Sequence, residues 1–203
     1  MYHFSIPMAL MDFVPVLCFG YAAALLQRDL YDKMRKSHFA LFAAGTINIF
    51  TAGFLKALWK LLYAANICDF HALNTMFLPV QSIGFLLAGL GIVMMLMNKP
   101  MPFAAVAPPL FSGSVVFISM MVLGLGSICT VLSILAVKMK KKGAMVLFIL
   151  AFLCSMGMGA MSGQDATQAW VNWAEQSINC VGQGLLMWGV IVLDRAGLAE
   201  YKL

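Results

Sequence analysis

The chain has 203 residues, 63% of them hydrophobic and 10% charged, with a formal net charge of +5 and a mean hydropathy of +0.92. Soluble domains run nearer half apolar and a quarter charged, so this composition excludes an ordinary soluble domain, a disordered tail and a fibrous chain. It points to an all-α, polytopic integral protein of the cell membrane, with about six transmembrane helices of roughly 20 apolar residues each.

The first apolar segment covers residues 8–26. No Lys or Arg precedes it, which makes a poor signal-peptide start, and it reads as a retained span. It carries Asp12 and Pro15. Ionisable groups in hydrocarbon are costly and usually functional. Asp12 therefore reads as a proton- or cation-coupling carboxylate, or else as a helix-end residue still at the interface. The following connection holds Arg28, Asp29, Asp32, Lys33, Arg35 and Lys36.

The second segment covers 39–63 and contains Asn48 and Thr51. Lys56 and Lys60 lie four apart, on one helical face near its end. Their stems either snorkel to the headgroups, or the ammonium groups bind an anion or pair with Asp12 or Glu175. The third segment, 76–97, brings Gln81, Ser82 and Pro79, with Asn74 just before it. Pro79 lacks an N–H and frees a carbonyl one turn earlier. Asn74 and Gln81 are seven apart, which is one face of a continuous helix.

Pro100, Pro102, Pro108 and Pro109 make 98–109 a linker between residues 1–97 and 110–203. Beyond it lie a fourth segment at 110–137, with Ser127 and Thr130, a run of lysines at 138–142, and a fifth segment at 144–160. Residues 161–176 are polar and include Asp165, Trp170 and Trp173, which suits an interfacial turn or short surface helix. The sixth segment is 177–193. Glu175, Asn179 and Gln183 fall at i, i+4 and i+8, one polar stripe on a helix. Such a stripe avoids lipid, and so either glues helices together or lines a polar pocket.

The segment starting at Lys33 resembles the one starting at Lys138, and Gly84–Gly89 resembles Gly184–Gly189. A repeat of three spans plus three would be inverted in the membrane, as in many transporters. Six spans put both termini on one side and the basic stretches 28–36 and 138–142 on opposite sides. The positive-inside rule then gives a divided vote, leaning to termini inside. A miscounted span or a dual-orientation dimer would remove the conflict.

The basic charge sits at helix ends, so it concerns topology and lipid headgroups rather than nucleic acid. The five cysteines form no CxxC pair and imply no disulfide framework. The three histidines are scattered, and HExxH, GxSxG and phosphate-loop patterns are absent. No cofactor or metal is implied, and an enzyme is not the first expectation. That expectation is a small membrane transporter or solute-binding membrane subunit. Asp12, Asn48, Asn74, Gln81, Trp173, Glu175, Asn179 and Gln183 would hold a small-molecule or lipid-like ligand within the bilayer. So few helices suggest a homodimer. The alternatives are an isomerase-like membrane enzyme on a lipid, isoprenoid or sterol-like substrate, with Glu175 as acid/base, or a non-catalytic sensor or assembly protein. A stripe bonded helix to helix would favour the last of these.

Overall fold

The structure is a computed structural model that describes residues 4–97, 114–161 and 168–202. The expected linker at 98–109 and Asp165 lie outside the described residues. The described chain forms α1 (Ile6–Met11), α2 (Phe13–Leu30), a 3-10 turn (Tyr31–Lys33), α3 (Lys36–Ala64), α4 (Ala72–Thr75), α5 (Phe77–Met97), α6 (Ser114–Lys138), α7 (Lys142–Met161) and α8 (Ala169–Arg195). Taken as α1 with α2, α3, α4 with α5, α6, α7 and α8, these make six helices long and apolar enough to cross a bilayer. The class is all-α, consistent with a polytopic membrane protein.

Both helix breaks follow from proline. Pro15 has no N–H for the Met11 carbonyl, and α1 gives way to α2 at Asp12. The Cys180 thiol approaches that same carbonyl at 4.0 Å. Pro79 likewise has no N–H for Thr75, and α4 ends there before α5 begins at Phe77. The third span is therefore not one continuous helix from Asn74 to Gln81. The sixth span starts at Ala169, eight residues earlier than expected. Its first two turns carry the polar Asn172, Glu175 and Gln176, and Ala, Glu and Gln favour helix. They need not face lipid once packed on α2 and α7.

The helices pack as a ring. Each long helix lies against its sequence neighbour, and α8 closes the ring on α2. Contacts fix their directions. Gly53 meets Val16 and Gly20 meets Phe50, so α2 and α3 are antiparallel. Gly91 meets His38 and Phe42 while Gly84 meets Ile49, so α3 and α5 are antiparallel too. Gly189 meets Phe148 and Gly182 meets Cys154, which makes α7 and α8 antiparallel. A turn at 139–141 folds α6 back onto α7.

The closing pair is different. Cys180 touches Met11 at one end of the ring, and Arg28 bonds Asp194 at the other. Further along, Lys33 Nζ donates to the Ala199 and Tyr201 carbonyls, each at 2.7 Å. Thus α2 and α8 run parallel, and by the antiparallel steps α5 and α6 do as well. The chain leaves α5 at one end of the bundle and enters α6 at the other. An inverted relation between the three-helix halves is not shown: the described helices α2, α3, α5 and α6, α7, α8 follow the same sequence of directions. Residue 4 and residue 202 consequently lie at opposite ends, where the six-span count had put both termini on one side.

Backbones come close at the seam α3–α5–α6. A Cβ on Gly45 would lie 2.4 Å from the Ala88 nitrogen, and one on Gly124 would lie 2.2 Å from the Phe85 carbonyl oxygen. Only glycine permits such an approach, and small residues serve this purpose in membrane bundles. Around these contacts Phe42, Phe85, Ile92, Leu132, Leu135 and Phe148 form the buried core. The outer surface is apolar: Leu17, Ile47, Leu123, Leu153 and Val181 all point outward. A contiguous apolar exterior of this kind suits lipid rather than water.

Candidate functional site

The two ends of the ring differ in chemistry. One end, here the basic end, carries residues 28–36, the 139–141 turn and residues 195–202. The other end carries Phe4, the 65–71 connection and the first turns of α5 and α8. The candidate site lies at this second, aromatic end.

Lys60 and Asp12 are its centre. Lys60 Nζ lies 3.0 Å from Asp12 Oδ2, with the two side chains 8% and 13% exposed. Of the readings open from sequence, a partner for Asp12 is the one observed; neither group snorkels to water. The helix break at Asp12 places its carboxylate opposite the last turns of α3, because α1 packs on α3. The Lys60 ammonium also lies 4.7 Å from the Phe4 ring centroid, and Lys56 Nζ lies 3.9 Å from that of Phe77. Both are cation–π distances. Glu175, near the start of α8, interacts electrostatically with Lys56, Lys60 and Asp12. Four charged groups, from the α1–α2 break, α3 and α8, are thus gathered at one end of the ring.

Aromatic side chains cover this cluster. Phe4 meets Trp59 and Tyr63 edge-on, both at 5.9 Å, and Trp59 meets His71 at 6.2 Å. Trp59 is buried, and its indole N–H donates to Asp69 Oδ1 at 2.8 Å, which ties the 65–71 connection down over α3.

The polar stripe of α8 runs inward from the cluster. Asn172 and Gln176 are buried, and Glu175, Asn179 and Gln183 are half-buried. Asn172 Nδ2 donates to the Gln168 carbonyl at 3.2 Å, within its own helix. The side-chain oxygens of Gln176 and Gln183 are buried without a hydrogen-bond partner among the described residues, as is that of Gln81 on α5. Gln176 is the member sequence reasoning left out of the site. Its spacing of four from Asn172 and seven from Gln183 could have identified it.

Other expected residues stand apart. Asn74 is half-buried on α4, and Asn48 is half-buried in α3. Trp173 is exposed and points outward, as an interfacial Trp does. Ser82 donates to its own helix, to the Leu78 carbonyl at 2.6 Å, so it is no cavity donor. A groove of about 570 Å³ opens sideways between α2 and α3, lined by Leu17, Tyr21, Gln27, Thr46 and Phe50 among others. Glu175 is not part of its wall, which differs from the arrangement a lipid enzyme built on Glu175 would need.

Comparison with family models, with curated proteins and with solved structures returns no match.

Proposed function

We propose that the chain is a small membrane transporter, or the solute-binding membrane subunit of one, whose polar intramembrane site is formed by Gln81, Gln176 and Gln183 beneath the Asp12–Lys60–Lys56–Glu175 cluster. The observation that carries this reading is the set of three buried amide oxygens without a hydrogen-bond partner among the described residues. A stripe acting as helix glue would spend those oxygens on neighbouring helices. Left unbonded in an apolar surround, each costs free energy. A polar solute and water supply the missing donors. The buried ion pair toward the aromatic end is a poor way to gain stability alone, and with Lys56 and Glu175 it offers both signs of charge to a small polar solute. Asp12 and Glu175 are the carboxylates able to couple a proton or hold a cationic group.

We also infer the orientation. Arg28, Lys33, Arg35, Lys36, Lys138, Lys140, Lys141, Lys142, Arg195 and Lys202 share the basic end, and these are ten of the 13 Lys and Arg residues. Cytoplasmic ends of membrane proteins carry this excess. The basic end is cytoplasmic, and the charged cluster faces the extracytoplasmic side.

Accessibility tests the site. Single cysteines at 81, 176 and 183, in a background free of the native five, are exposed in membranes to a cationic, impermeant methanethiosulfonate. Reaction at 81, 176 and 183, with none at the lipid-facing control Val181→Cys, is expected. Protection of all three positions would make the stripe helix glue and remove the site.

A further inference from the structure

At the basic end, α7 and α8 leave a groove of about 640 Å³ between them. Its rim is Lys140, Lys141 and Lys142, and its floor is Leu147, Trp188 and Val192. The three lysines are exposed, and none has an ion-pair partner among the described residues. Gly143 beside them has nothing within 4 Å of where a Cβ would stand, so the backbone is open to a bulky group. Trp188 is 54% exposed although it lies two turns inside the end of α8.

The rim and floor are displaced along the membrane normal. Leu147 is five residues into α7 from Lys142, roughly 7–8 Å deeper at 1.5 Å per residue. Positive charge therefore sits at headgroup level, and an apolar wall with an indole lies directly below, within the hydrocarbon. A soluble anion would use the rim alone and leave the floor unexplained. An apolar peptide would use the floor and leave three positive charges unmatched. One molecule matches both parts: a lipid with an anionic head and acyl chains.

We propose that this groove is a binding site for an acidic glycerophospholipid, its phosphate held by Lys140, Lys141 and Lys142 and an acyl chain laid against Leu147, Trp188 and Val192. The inference rests on the orientation above in one respect, since acidic lipids are drawn to basic pockets on the cytoplasmic side. Binding itself is measured in micelles, where orientation plays no part, so the two stand or fall separately.

The experiment uses the full chain purified in a mild detergent and supplied with phosphatidylglycerol or phosphatidylcholine, with retained lipid counted by native mass spectrometry. The wild type is expected to retain phosphatidylglycerol at least fivefold more than phosphatidylcholine. The variant K140A/K141A/K142A is expected to lose that preference. W188A is expected to keep the preference but retain less lipid. The variant K36A/K138A/K202A removes equal charge from the same end outside the groove and should behave as wild type. Thermal melting of each variant in phosphatidylcholine micelles shows that it is folded. Equal retention of the two lipids, loss of preference in both triple variants alike, or displacement of the lipid by inorganic phosphate would each overturn the proposal.

Discussion

At the scale of single residues, the decisive feature is a carboxylate and an ammonium placed where both are largely covered by protein. Asp12 and Lys60 lie 3.0 Å apart with both side chains largely covered. Removing one partner of a buried pair leaves an unpaired buried charge and typically costs about 3–5 kcal/mol. Replacing both by apolar groups costs far less. Asp12→Asn should therefore lower the melting temperature in micelles sharply, and D12L/K60M should restore most of the loss. An Asp12→Asn protein melting with the wild type would remove the pair from the account. Sequence spacing put Lys56 and Lys60 on one face and made Asp12 a conceivable partner. It could not choose between that pairing and snorkelling, because the choice depends on a helix break 48 residues earlier in the chain. Arg28 shows the opposite case. It bonds Asp29 and Asp194, but its side chain is 60% exposed, so this pair fixes the direction of α8 more than it stabilises it.

At the scale of helices, the bundle depends on backbone contact. The apolar runs were legible from composition, but the breaks ahead of Pro15 and Pro79 were not, because each span read as one continuous helix. The seam itself was not legible. The sequence shows Gly84, Gly89, Gly91, Gly124 and Gly126 without saying which face another helix, whereas Gly124 packs on Phe85 and Gly126 on the edge of Phe152. Gly124→Ala would drive a methyl to 2.2 Å from a carbonyl oxygen. Overpacking of this kind costs about 1–3 kcal/mol. Gly157 in α7 has nothing within 4 Å of its missing Cβ. Gly157→Ala gains helix propensity of about 0.5–1 kcal/mol with no clash. Thermal melting of the two variants side by side should show G124A well below wild type and G157A at or above it; equal melting would mean that α5 and α6 do not meet as described. The stripe on α8 was legible at Glu175, Asn179 and Gln183. Its depth was not, because the first turns of α8 read as an interfacial turn or short surface helix.

At the scale of the whole molecule, one result reorganises the charge pattern. Read as six alternating spans, the chain put its two basic stretches on opposite faces of the membrane. The parallel pairing of α2 with α8 brings them to one face, with residues 195–202 beside them. The same pairing gives both three-helix halves one sequence of directions. The resemblance between the segments at Lys33 and Lys138 then falls on equivalent turns at equivalent ends. Sequence similarity alone could not supply this, because odd-numbered halves in an alternating chain must be inverted, and helix direction is fixed only by contacts such as Cys180 with Met11. The arrangement also separates two chemically distinct features in space. The lysine-rimmed groove lies at the basic end, and the charged, aromatic-covered cluster lies at the other.

The most direct test is impermeant thiol labelling of single cysteines at 33, 68 and 140 in oriented membranes, in a background free of the other native cysteines. Cys68 is exposed in the connection at the aromatic end. Residues 33 and 140 should label together from the cytoplasmic side, and residue 68 only from the opposite side. Labelling of 33 and 140 from opposite sides would restore the alternating six-span chain and contradict the parallel ring.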